Sequence, residues 1–128
     1  MRILLDTSVL IDVLRRHARR ELLAELLRAG HFLSTTALNV AEVYAAMRPG
    51  EELPTEAFLA GLLCYDLTRR AAELAGRMKS DWRRKGRTLP LADTIIAAIA
   101  LETRCILMTD NRKDFAMIDL QLYPLPEN

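Results

Sequence analysis

The chain reads as an α/β domain with a mostly parallel central sheet of four or five strands and helices on both faces. Short apolar runs alternate with longer stretches of helical periodicity, the order that builds parallel sheets. Its 128 residues suit a single core, and no internal repeat, low-complexity segment or linker divides them. Hydrophobic residues make up 51% but aromatics only 5%, so Leu, Ile, Val and Ala must fill that core.

Taken in order, Ile3, Leu4 and Leu5 make a first buried strand over 2–6, and a short helix follows from about 8 to 16. Leu22, Leu23, Leu26 and Leu27 recur at helical spacing over 21–29, and Gly30 stops that helix. A second strand covers 32–35, and Thr35 or Thr36 can cap a helix over 37–47. Pro49, Gly50 and Pro54 mark 48–54 as a loop, with a short helix over 56–63 after it. A third strand over 64–67 leads to Thr68, which caps a long helix running to about 85. Gly86 ends it, and Pro90 suits the first turn of the next helix. That helix is apolar nearly all round to Leu101, which places it deep. A fourth strand covers 105–108, and 119–123 forms a short edge strand before Pro124 and Pro126.

Composition excludes several classes. No apolar stretch is long enough for a membrane span, and the start is charged too soon for a signal peptide, so a cytoplasmic location is expected. Cys64 and Cys105 each sit at an apolar run and read as buried, reduced strand residues. Neither a phosphate-binding glycine loop nor a serine-nucleophile motif occurs. His17 and His31 lack the Cys/His spacing of a zinc site.

With 18 basic and 17 acidic residues, total charge says nothing about a polyanionic partner. Its distribution does. Residues 68–88 hold eight basic side chains against Glu73 and Asp81, and Arg15, Arg16, Arg19 and Arg20 bracket His17. Either cluster could hold a nucleic-acid backbone, with Trp82 free to stack on a base. The plainer reading is a solvated helix face with Trp82 covering the core.

Four acids stand where a core-forming segment calls for something else. Asp6 ends the first strand, Glu42 interrupts the helix over 37–47, Asp93 opens the apolar helix, and Asp110 follows the fourth strand. Each has an ordinary explanation: Asp6 and Asp110 as caps, Asp93 as a favourable charge at a helix start. Glu42 is harder to dismiss, because Leu38, Ala41, Ala45 and Ala46 surround it and are expected to be buried. In parallel α/β sheets ligands bind beyond the carboxyl ends of the strands, where all four acids can converge. Carboxylates held together repel unless a cation lies between them, and Mg²⁺ or Mn²⁺ prefers such oxygen donors.

These segments resemble the PIN-domain ribonucleases, and in size and pattern the VapC-type toxins of toxin–antitoxin pairs. Residues 3–8, Ile-Leu-Leu-Asp-Thr-Ser, are similar to that family's opening strand and first acid. Asn39-Val40-Ala41-Glu42-Val43 is similar to its acidic helix, and Leu91-Ala92-Asp93-Thr94-Ile95-Ile96 to its third-acid helix, the most specific match. Residues 107–115 resemble its terminal motif. The family often places an acid two residues after the threonine; here Asn111 stands there, with Asp110 and Asp114 nearby.

The resemblance implies a three-layer α/β/α sandwich and Mg²⁺- or Mn²⁺-dependent cleavage of RNA. It also implies a homodimer and inhibition by a small cognate antitoxin. It carries Asp6, Asp93 and Glu42 as metal ligands, with Asp110 completing the pocket. Two rivals remain. A non-enzymatic phospho-receiver switch needs an accepting Asp at the end of a central strand, whereas Asp66 falls inside the third strand. A catalytically inactive member would bind RNA or protein without turnover.

Overall fold

The computed structural model describes residues 1–116 and 118–125. Four strands form one all-parallel sheet in the order β3-β2-β1-β4. They are β1 (Arg2–Leu5), β2 (Phe32–Thr36), β3 (Leu63–Tyr65) and β4 (Ile106–Met108). The described helices are α1 (Thr7–Arg15), α2 (His17–Arg28), α3 (Ala37–Ala45), α4 (Glu52–Ala60), α5 (Arg69–Arg84), α6 (Leu91–Thr103) and α7 (Arg112–Phe115).

Strand alternation splits the core into two layers. Ile3, Leu5, Leu33 and Met108 point to one face and pack with Val9, Leu10, Val13, Leu23 and Leu26 of α1 and α2. Leu4 and Leu107 point to the other and pack with Ile96, Ala97 and Ala100 of α6 and with Phe115. Ala71 and Ala75 of α5 close on Ala98 and Ile99, small residues that let these two helices approach. The result is the expected α/β/α sandwich.

Helix ends follow local chemistry. Thr36 and Thr68 accept hydrogen bonds from Asn39 and Ala71 amides, capping α3 and α5. Gly30 and Gly86 take positive φ where α2 and α5 stop. After α6 a non-glycine residue, Arg104, takes that left-handed position at φ 58°.

Four expectations are corrected. Instead of an edge strand, 119–123 makes a single bridge from Leu122 to Leu107, since β4 spans only three residues. The presumed loop over 48–54 already contains the start of α4. Pro54 fits there because the first-turn N–H groups of a helix have no internal partner to lose. Cys64 is exposed, because β3 is an edge strand; Cys105 is buried, and both are free thiols. Asp66 lies just past β3 rather than within it. Among the described residues no helix is long and apolar enough to cross a membrane.

Candidate functional site

Asp6 is the N-cap of α1, at the point where β1 gives way to helix, and it is 4% exposed. Burying a carboxylate this deeply requires donors. Thr109, itself buried after β4, donates to Asp6 Oδ2 at 2.7 Å, and Asn39 Nδ2 donates to Oδ1 at 3.1 Å. Asn39 also donates to Thr7 Oγ1 at 2.9 Å, and Thr7 donates onward to Glu42 Oε1 at 2.7 Å. Thr36 fixes the amide from behind by donating to Asn39 Oδ1 at 2.7 Å. Every donor in this chain points towards a carboxylate.

Asn39 is the site residue that sequence reasoning missed. It is fully buried on the inner face of α3, one turn before Glu42. Glu42 itself is placed differently from expectation. Ala41, Ala45 and Ala46 around it are exposed, so Thr7 rather than an apolar face holds this side chain.

Asp93 sits in the first turn of α6. Partial burial and the nearby charges of Asp114, Asp6 and Glu42 push its carboxyl up to about 6. Burial likewise raises Asp6, although the Thr109, Thr7 and Asn39 hydrogen bonds oppose the shift. The structure thus brings Asp6, Glu42, Asp93 and Asp114 within electrostatic reach of one another.

Asp110 is placed otherwise. Its backbone N–H donates to Ser8 Oγ at 3.2 Å, and its carboxylate accepts two hydrogen bonds from Arg19 at 3.1 and 3.3 Å. Arg19 also pairs with Asp12 at 3.3 Å. This fork ties α1, α2 and the segment after β4 together and occupies both oxygens of Asp110.

The donor set suits a hard divalent cation. All four clustered groups are carboxylates, and their mutual repulsion, felt most by Asp93, is what a cation would relieve. Among the described residues no three Asp, Glu, His or Cys side chains close into a ready metal cage. An ion held by a few carboxylates with waters completing its shell matches such an open arrangement.

Basic residues approach from α5. Thr68 donates to Glu102, and Lys79 donates to the Leu89 carbonyl, so α5 and α6 run antiparallel. The Arg83–Arg84 end of α5 therefore lies at the Asp93 end of α6. Trp82 packs against the core cluster beneath α6, with Lys85 4.6 Å from its ring, the plainer of its two expected roles.

A parallel α/β/α domain with acids gathered beyond the carboxyl ends of its strands defines a class of oxygen-ligand metal centres. Within that class the chain belongs to the PIN domain family, whose profile matches residues 3–120. It is 33% identical over 120 residues to Ribonuclease VapC19 of Mycobacterium tuberculosis, covering 92% of this chain and 96% of that one. Its fold superposes on VapBC2 from Rickettsia felis, bound to a promoter DNA fragment, with TM-score 0.84 at 21% identity. That match covers 98% of this chain and 100% of the other. A toxin–antitoxin complex from Klebsiella pneumoniae gives TM-score 0.78 at 26% identity, covering 96% and 98%.

Proposed function

We propose that the protein is a Mg²⁺- or Mn²⁺-dependent endoribonuclease, the toxin of a VapBC-type pair restrained by a small cognate antitoxin. The observation that carries this reading is the convergence of Asp6, Glu42 and Asp93 from three separate elements onto one sheet edge. The 33% identity to a ribonuclease over nearly the whole chain supports it. A homodimer and a cytoplasmic location belong to the same proposal.

Asp6, Asp93 and Glu42 hold the ion. Of the three acidic or amide residues expected near the fourth position, Asp114 bears on Asp93, whereas Asp110 is held by Arg19. The fourth place therefore goes to Asp114, with Asp110 as the anchor of the rim. A bound ion supplies a nucleophilic water and neutralises charge developing on the phosphodiester. The Asn39 and Thr109 donors keep Asp6 ionised and fixed, and the basic end of α5 brings RNA to the acids against their repulsion.

A phospho-receiver reading has no comparable support: Asp66 follows β3, an edge strand, where that chemistry needs a central one. The direct test is cleavage of RNA by purified protein with Mn²⁺, with EDTA, and by Asp6→Asn. Cleavage should need Mn²⁺, and Asp6→Asn should lose on the order of a hundredfold. Cleavage that survives EDTA or the substitution contradicts the assignment.

A further inference from the structure

The two basic clusters of the sequence have different fates in the fold. Arg15 is bound to Glu51, Arg16 to Asp12, and Arg19 to Asp12 and Asp110, so that cluster mainly serves internal ion pairs. On α5 the pairs are Arg69–Glu73 and Arg84–Asp81. Arg70 and Arg77, with Arg104 beyond α6, form no ion pair or side-chain hydrogen bond among the described residues.

These three arginines line one cleft of about 550 Å³ between the first half of α5 and the last turn of α6. Leu74 and Leu101 give it an apolar wall, 36% and 37% exposed, and Glu73 and Glu102 complete the lining. Arg104 carries a long charged side chain at a left-handed backbone position that ordinarily takes glycine.

The lining discriminates between ligands. Three unpaired guanidiniums call for phosphate. A free phosphate would leave the leucine wall unused, and an acidic peptide would meet Glu73 and Glu102. A nucleotide satisfies all of it: phosphate on the arginines, base against the leucines, exocyclic amino groups towards the carboxylates. Glu102 lies nine residues beyond Asp93 on α6, about 13 Å along the axis.

We propose that this cleft binds a nucleotide of the RNA substrate away from the scissile bond, with Arg70, Arg77 and Arg104 holding its phosphate. The proposal rests on the ribonuclease reading and narrows it to RNA long enough to reach both places.

The test uses exposed residues, so folding is not at stake: Arg70→Gln/Arg77→Gln against the unaltered protein. Binding of a labelled stem–loop RNA and of a labelled trinucleotide is read in EDTA across a salt series, and cleavage of each is read with Mn²⁺. Stem–loop affinity should fall about tenfold, and its log–log salt slope should drop by about 1.5, for two lost phosphate contacts. Binding and cleavage of the trinucleotide should stay as they were. Unchanged stem–loop affinity and slope overturn the proposal. So does a variant that binds both RNAs as before but changes oligomeric state, which would make the cleft a contact between copies. Failure of the unaltered protein to cleave either RNA would instead overturn the ribonuclease reading, and is distinguishable because binding is read without metal.

Discussion

Asn39 directs both of its N–H groups into the acidic cluster, one to Asp6 and one to Thr7. Replacing it with Ala leaves a buried carboxylate short of a donor and two hydroxyls mismatched. Asn39→Ala should cost about 1–3 kcal/mol in a urea melt. It should also lower Mn²⁺-dependent cleavage by about 10- to 100-fold, as loss of a group that orients a ligand does. Asp93 makes a prediction of opposite character. Its carboxyl titrates at about 6 in the fold against 3.8 ordinarily. Between those values the folded state binds more protons than the unfolded one, so this group lowers the stability of metal-free protein as pH rises through that window. Thermal melts across the window should show the fall, and Asp93→Asn should flatten it; an equally steep fall in the variant contradicts the assignment. At this scale Asp6 and Asp93 were legible as acids at the edges of apolar runs. Glu42 was found on a false premise, since the alanines beside it are exposed. Asn39 was passed over because a neutral amide in a first helical turn looks ordinary. The available signal was the three-residue spacing of Thr36, Asn39 and Glu42, which sets each next to the last on α3.

Beyond β4, the chain carries two acids with different neighbours. Asp110 is forked by Arg19, whose side chain is only 11% exposed, while Asp114 in α7 faces Asp93. Asp110→Asn should therefore cost about 1–2 kcal/mol of stability, between the values for exposed and buried pairs. It should leave most cleavage intact. Asp114→Asn should do the reverse, lowering cleavage while leaving the melt nearly unchanged, and kinetics beside melts on the two variants separate the roles. Neither pairing was visible in the sequence, because Arg19 and Asp110 are 91 residues apart and only the packing of α2 on the sheet edge joins them. Local signals served better where the chemistry is local. Thr36 and Thr68 cap the helices they were expected to cap, and Gly30 and Gly86 end α2 and α5. The start of α4 was hidden by Pro54, which reads as a breaker until its place in a first turn is known.

For the molecule as a whole, alternation of apolar runs and helical periods was enough to indicate a parallel sheet covered on both faces. The two clusters divided by Leu4 and Leu5 on opposite sides of β1 are its physical form. What alternation does not specify is which loops meet, and the account depends on that meeting: carboxylates from β1, α3 and α6 must share one cation. The most direct measurement is a thermal melt of the metal-free protein and of Asp93→Asn, each with and without Mn²⁺. At about a hundred times its Kd a ligand of the folded state adds about 2.7 kcal/mol. For a chain of this length that is a rise of several degrees in Tm. The account predicts that rise in the unaltered protein and its loss in Asp93→Asn; no rise in the first, or an equal rise in both, would contradict it.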